Sequence, residues 1–374
     1  PGDGPYAATH EQALTLVGLL TFLDAPKPGV NAAIAQLATL GVAVKLITGD
    51  NAHVARYVAG LVGLDASRVI TGTELASMSQ EALWQVAPGT AVFAEVDPSQ
   101  KERIIQALRS RGAVVGFLGD GVNDAPAMHA ADASLAVDQA VDVARAVADF
   151  VLLERDLDVI RRGIVEGRRT FANTMKYILT TTSANLGNMV SMAAASLVLP
   201  FLPLLAGQIL LNNFLSDIPA LGIADDSVDP ELVERPERWD LRAIGRFMVA
   251  FGLLSSVFDV LTFAVLLVGF SAAPELFRSA WFVESLLTEL LIALVVRTRR
   301  PFYRSRPGGL LLWSTVALVP FAFLVPSLPG ARTLGFIALP GAVSLSLAVI
   351  ALAYVMATEV GKQIFFGRAA ARNL

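Results

Sequence analysis

Residues 113–128 read AVVGFLGDGVNDAPAM. The apolar run 113–118 predicts a buried strand, and it ends on Gly119-Asp120-Gly121, where glycine permits a tight turn. A second run, 42–47, ends in the same way on Thr48-Gly49-Asp50, and a third probable strand lies between them at 91–96. Amphipathic patterns at 30–40 and 101–111 predict helices that fill the gaps. Strands separated by helices imply a parallel sheet covered on both faces, and such sheets bind ligands at the carboxyl ends of their strands. Asp50 and Asp120 fall at those ends, predicted as neighbouring strand tips. Two carboxylates flanked by glycines suit a hard cation such as Mg2+ together with a phosphate group. Asp120, Asn123 and Asp124 place a carboxylate, an amide and a second carboxylate within five positions, a set able to hold a metal and orient a water. Turn chemistry alone offers a plainer account, a Gly/Asn/Asp turn after a strand.

Working outward, composition separates two halves. The 374 residues are 54% hydrophobic and 17% charged, with a mean hydropathy of +0.59. About 25% charged residues is usual in soluble domains, so a wholly soluble enzyme is not expected. There are no cysteines, which excludes disulfides, iron–sulfur ligation and thiol catalysis; the three histidines, His10, His53 and His129, lack zinc-ligand spacing. A net charge of −4 gives no support for nucleic-acid binding. Up to about residue 160 no segment is long enough to span a bilayer. Beyond it run six nearly charge-free stretches, 177–199, 202–223, 247–270, 279–296, 308–328 and 333–357. Each is near the ~20 residues a membrane helix needs, the fourth being interrupted by Glu284 and Glu289. Arg235, Arg238, Arg242 and Arg246 follow the second stretch, Arg297, Arg299, Arg300, Arg304 and Arg306 the fourth, and Lys362, Arg368 and Arg372 the last. The opposite loops carry Arg278 and Arg332. The positive-inside rule then predicts a multi-pass protein of the inner or plasma membrane, its soluble half and both chain ends cytoplasmic; the lack of a signal peptide agrees with that.

The run 119–128 resembles the hinge motif of P-type cation-transporting ATPases, and the likeness extends through Thr48-Gly49-Asp50-Asn51, Asp97-Pro98-Ser99-Gln100-Lys101 and Ala131-Asp132-Ala133. It implies a haloacid dehalogenase-like, Rossmann-like phosphorylation domain over 1–165, with a remnant of a nucleotide-domain linker at 1–15, and a six-helix transmembrane domain over 166–374. It also implies Mg2+ and ATP as cofactors. In this reading Asp120 coordinates the catalytic Mg2+ with Asp124, Asn123 and Asp124 support the phosphate site, Thr48 and Gly49 bind the phosphoryl group beside Asp50, and Lys101 neutralises its charge. Taken alone, Lys101 reads as a solvated surface lysine. Asp24, in Leu23-Asp24-Ala25-Pro26, resembles the family's Asp-Pro hinge entry, from which Ala25 departs. The family's Asp-Lys-Thr-Gly nucleophile motif does not occur in these residues. The nucleophile, nucleotide domain, actuator domain and first four spans are therefore expected in a missing N-terminal part, and the chain alone is expected to be inactive. Segments EGRRTFAN (166–173), RPERW (235–239), GRFM (245–248), SSVFDVLTF (255–263), LFRSAWF (276–282) and RTRR (297–300) resemble the bacterial magnesium-transporting branch, which favours Mg2+ as the transported divalent cation over Ca2+.

Polar groups within membrane segments are costly, so they are functional candidates. Asn185 and Asn188 are three apart on one helical face, as are Asn213, Ser216 and Asp217, and Pro219 can free backbone carbonyls for ligation. By resemblance Asn185, Asn188, Asn213 and Asp217 occupy the family's ion-site positions. The plainer role for amides, including Asn212, is hydrogen bonding between helices. Asp259 reads as an accessory ligand or a structural acid; Glu284 and Glu289 either face a water-filled pathway or mark a span near the interface. A helix continuing from about Ile164 into the first span predicts mechanical coupling of phosphate chemistry to ion affinity. Two other readings stay open: a membrane-anchored phosphatase, for which no Asp-x-Asp precedes Thr48, and a regulatory membrane fragment.

Overall fold

The computed structural model describes residues 14–18, 20, 26–154 and 156–372. Asp24 and most of the 1–15 linker reading lie outside the described residues. The chain forms two compact units that divide between Val159 and Ile160, with Thr39–Val42 grouped with the second.

The first unit runs α1 (Val30–Thr39), β1 (Leu46–Ile47), α2 (Ala52–Leu61), β2 (Val69–Thr71), α3 (Gly72–Ser77), α4 (Gln80–Val86), β3 (Val92–Ala94), α5 (Pro98–Ser110), β4 (Gly116–Gly119), α6 (Ala125–Ala130), β5 (Ala133–Val137), α7 (Asp142–Val147) and β6 (Phe150–Leu152). Local chemistry sets several starts. Thr71 and Glu74 form a capping box on α3; Asp97 and Gln100 form another on α5, with Pro98 in its first turn. Every strand pair is parallel.

The strands do not make the single sheet expected from the sequence. They form two three-stranded sheets, ordered β1-β3-β2 and β4-β5-β6. Consequently β1 and β4, the strands that carry the two Gly-Asp loops, are both edge strands, and no described strand pairs with the outer edge of either. Parallel strands are ordinarily covered on both sides, yet Leu118 of β4 is 41% exposed. α5 holds the two sheets together: its Ile104, Ile105, Ala107 and Leu108 share one apolar cluster with Phe93 of β3 and Phe117 of β4.

The second unit contains α8 (Leu157–Val198), α9 (Ala206–Leu221), α10 (Pro230–Glu234), α11 (Leu241–Ala264), α12 (Pro274–Val296), α13 (Gly309–Leu324) and α14 (Gly341–Arg372). Among the described residues four helical stretches are long and apolar enough to cross a membrane: Leu241–Gly269, Pro274–Val296, Gly309–Ser327 and Gly341–Gly367. The two remaining sequence-predicted spans lie on α8 and α9. α8 is one unbroken helix of 42 residues; α9 has 16 residues, about 24 Å at 1.5 Å per residue, short of the ~30 Å hydrocarbon core.

α12 is the hub of this unit, packing against α9, α11, α13 and α14. Its span is 83% buried, against 33–44% for the other three. Of the two acids that interrupt the fourth predicted span, Glu284 is buried inside the packed bundle, whereas Glu289 is half-buried and lines a cavity. They interrupt the hydrophobic run because their side chains face other helices. Gly187 lets α8 approach α11 closely, since a Cβ there would lie 2.9 Å from Ser255 Cβ and 3.0 Å from the Gly252 carbonyl oxygen.

One end of the bundle is closed by buried charge. Asp226 accepts from Lys176 Nζ at 2.7 Å, Arg297 Nη1 at 3.1 Å and the Gly308 amide at 2.7 Å. Asn173 donates to the Ala224 and Asp226 carbonyls, and Asp229 accepts from the Thr298 hydroxyl at 2.8 Å. Lys362 of α14 donates to the Val295 and Arg300 carbonyls and pairs with Glu359. The network ties α8, the segment after α9, the end of α12 and α14 together.

Candidate functional site

In the first unit β4 delivers the Gly-Asp loop. Gly119 has no room for a side chain, because a Cβ there would lie 2.6 Å from Asp124 Cβ and 3.0 Å from Met128 Sδ. A 3-10 turn at Val122–Asp124 then leads into α6. Asp124 folds back on the loop. Its Oδ2 accepts the Asp120 and Gly121 amides at 3.2 and 3.3 Å, and its Oδ1 accepts Lys101 Nζ at 2.7 Å. Asp124 is buried, whereas Asp120 and Asn123 are exposed at the mouth of the loop. Lys101 is no solvated lysine, since its side chain is only 14% exposed. It rises from the first turn of α5, after β3, and reaches the loop after β4, so one contact joins the ligand-facing ends of the two sheets.

On the other sheet Thr48 Oγ1 donates to Asp50 Oδ2 at 2.7 Å and accepts the Asp50 amide at 3.1 Å. Backbone bonds from Thr48 to the Phe93 carbonyl and from Glu95 to the Asp50 carbonyl seat this turn on β3. Glu95 falls in the predicted strand 91–96, which gave it no role at the site. It holds a left-handed backbone (φ 57°) and its Oε1 accepts the Ala52 amide at 3.0 Å, while Asn51 Oδ1 accepts the His53 amide at 2.8 Å. Together they cap α2 directly behind Thr48-Gly49-Asp50. A non-glycine residue at positive φ was the signal, and only the structure reveals it. Gly49 has the Val96 carbonyl oxygen 3.6 Å from its would-be Cβ.

These residues suit Mg2+ and phosphate as an open site. Asp120 supplies a free carboxylate, while both Asp124 oxygens are already engaged. Among the described residues no three acids or histidines converge on a metal position. A small octahedral cation at this loop would therefore take most of its ligands from water and phosphate, the usual habit of Mg2+. Bound there, Mg2+ would supply charge neutralisation.

In the second unit a cavity of about 290 Å³ is lined by Asn185 of α8, Asn213, Ser216 and Asp217 of α9 and Glu289 of α12, among others. Asn185, Asn213 and Asp217 are exposed on its rim. Asn188 does not line it; its amide donates to Glu289 Oε1, which also accepts Asn212 Nδ2 at 3.0 Å. Ser285 Oγ donates to Asn188 Oδ1 at 3.3 Å. Thus α8 and α9 converge on a carboxylate that sequence spacing left without a role. Pro219 lies within α9, where its missing N–H leaves a carbonyl one turn earlier without its helical partner, beside the cavity.

The chain matches two family models. Residues 3–132 match the haloacid dehalogenase-like hydrolase model and residues 201–364 match the model for the C-terminus of cation-transporting ATPases. It is 43% identical over 371 residues to proteins named magnesium-transporting ATPase, P-type 1, from Salmonella typhimurium and Escherichia coli, an alignment covering 98% of this chain and 41% of theirs. It is 32% identical over 307 residues to a putative cation-transporting ATPase of Methanocaldococcus jannaschii, covering 80% of this chain and 38% of that protein. The chain thus spans about two fifths of the length of these relatives. A hydrolase unit with paired Gly-Asp loops on parallel strands, followed by a bundle matching the C-terminus of cation-transporting ATPases, makes both units of the chain similar to those of P-type cation-transporting ATPases.

Proposed function

We propose that this chain is the C-terminal portion of an ATP-driven Mg2+ pump working through an aspartyl-phosphate cycle. The observation that carries the proposal is the Glu289 cavity. A half-buried carboxylate held by two amides, beside Asn185, Asn213 and Asp217, offers hard oxygen donors to a hard divalent cation. The magnesium-transporting names of the relatives in Salmonella and Escherichia coli favour Mg2+.

In this reading Asp120 holds the catalytic Mg2+ with Asn123 beside it. Asp124 orients that loop and Lys101, whose charge then meets the transferred phosphoryl group. Thr48 and Gly49 bind the phosphoryl group from the other sheet, with Asp50 fixing the Thr48 hydroxyl. The nucleophile and the ATP-binding domain belong to the remainder of the pump. The outer edges of β1 and β4 supply a place for a strand from that remainder, which would put a nucleophile between the two Gly-Asp loops. α8 and α9 cross the membrane with the four apolar helices, making six spans, and the arginine-rich loops keep the hydrolase unit and both chain ends cytoplasmic. α8, continuous from Leu157 past Asn188, transmits phosphorylation to the ion site as a rigid element.

The test uses the full-length pump in proteoliposomes. Asp217→Asn and Glu289→Gln should each abolish Mg2+-activated ATP hydrolysis and Mg2+ uptake while leaving expression intact. Activation by Ca2+ at equal potency, or wild-type Mg2+ uptake by both variants, would overturn the reading.

A further inference from the structure

Five residues before Glu289 on α12, Glu284 is 0% exposed, and neither of its carboxylate oxygens has a hydrogen-bond partner. One helical turn before it on α12, Trp281 Nε1 donates to Asp259 of α11, itself 1% exposed, which brings the Asp259 carboxyl to this stretch of α12. The two Asp259 oxygens are already occupied: Oδ2 accepts Ser191 Oγ of α8 at 2.6 Å and Oδ1 accepts Trp281 Nε1 of α12 at 2.8 Å. Among the described residues no lysine, arginine or histidine pairs with either acid. The other titratable groups facing them are Glu289 on α12 and the Tyr354 phenol on α14, neither of which brings positive charge; α13 carries no charged residue at all.

Two buried carboxylates side by side without a cation cannot both be ionised. A metal is a poor solution here, because Ser191 and Trp281 already donate to both Asp259 oxygens and, among the described residues, no three acids form a metal-holding cluster. A proton placed between the acids satisfies both, as the protonated carboxyl then donates to the ionised one. Glu289 differs in its surroundings, since it accepts from two amides, Asn188 and Asn212. We propose that Asp259 and Glu284 form a proton-binding site, separate from the Glu289 cavity, in which the pair shares a single proton. The titration then belongs to the pair rather than to either residue.

The test is modification by dicyclohexylcarbodiimide, applied to the full-length protein in detergent micelles between about pH 6 and pH 9, with adducts located by mass spectrometry. The reagent adds to a protonated buried carboxyl: the proton passes to a carbodiimide nitrogen, the carboxyl oxygen bonds to the central carbon, and rearrangement to the N-acylurea retains every atom. The expected result is an adduct at Glu284 or Asp259 that declines as pH rises and is not suppressed by Mg2+. Asp259→Asn keeps an acceptor for Ser191 and Trp281 but removes the like charge, and should shift the labelling profile of Glu284 down by about one pH unit or more. Absence of label on both acids across the range, a rate independent of pH, an unshifted profile in Asp259→Asn, or protection by Mg2+ would each overturn the proposal. No transport is required, so the result stands apart from the fate of the pump reading.

Discussion

Replacing Asp226 with alanine tests whether the buried charge network holds the membrane bundle together. Asp226 is 4% exposed and serves Lys176 at 2.7 Å and Arg297 at 3.1 Å, both nearly buried themselves. At an effective dielectric of about 20 those separations correspond to roughly 6 and 5 kcal/mol of attraction. Most of this offsets the cost of burying three charges, so the intact network is worth far less than the sum. Breaking it is different, because two cations remain buried without an anion and the Gly308 amide loses its acceptor. Removing one partner of a buried pair costs about 3–5 kcal/mol. For a folding unit of this size each kcal/mol lowers Tm by about 2–4 °C, which gives an expected fall of roughly 6–20 °C. The assay is thermal unfolding of the full-length protein in detergent micelles, followed by tryptophan emission. Asp225→Ala, at an exposed neighbouring carboxylate, should leave Tm unchanged. Replacing all three charges together, Lys176→Met with Asp226→Leu and Arg297→Met, should restore most of the loss, since an apolar substitute carries no desolvation cost. A Tm for Asp226→Ala within about 2 °C of wild type would refute the reasoning, because it would mean that water reaches both cations.

Three further outcomes follow from the first unit. Lys101→Met in the full-length pump should lower kcat for ATP hydrolysis by about 10²–10³, as loss of a charged donor at a transferring group does, with partial recovery in Lys101→Arg. Gly119→Ala forces a Cβ against Asp124 Cβ and Met128 Sδ, so the loop must shift; a loss of about 1–3 kcal/mol is expected in denaturant unfolding, together with reduced activity. The Ser134 amide and hydroxyl hold the Asp149 carboxyl below its ordinary value of 3.8. A lowered folded value means that the contribution is fully present above the ordinary value and is lost as pH falls through the folded one. Ser134→Ala should therefore reduce stability at neutral pH, with the difference from wild type shrinking below about pH 4.

Much of the first unit was legible because its signals are local. Runs of apolar residues ending in Gly-Asp mark strands and their loops: 113–118 became β4 (Gly116–Gly119) and 42–47 became β1 (Leu46–Ile47), while the apolar run 91–96 became β3 (Val92–Ala94). β2, β5 and β6 run into no Gly-Asp loop and fall outside the sequence reading. The Lys101–Asp124 contact joins residues 23 apart in the chain, and no periodicity reports such a pair. In the second unit the apolar runs predicted the helices, yet hydropathy marked Glu284 and Glu289 as flaws in a span.

By itself, then, the sequence determined β1, β3 and β4, the apolar runs that became the helices of the second unit, and where the two Gly-Asp loops lie, because these depend on neighbours within one or two turns. Tertiary structure alone decided that β1 and β4 are edges of separate sheets, that Asp124 orients its loop through Lys101, and that Glu289 and the Asp259–Glu284 pair lie inside the bundle. Burial of a carboxylate depends on the helices packed around it. Asn188 and Glu289 are 101 residues apart, and Ser191 and Asp259 are 68 apart. Only when α8, α9, α11 and α12 close on one another do those side chains share a low-dielectric space, and only there do their charges demand a partner.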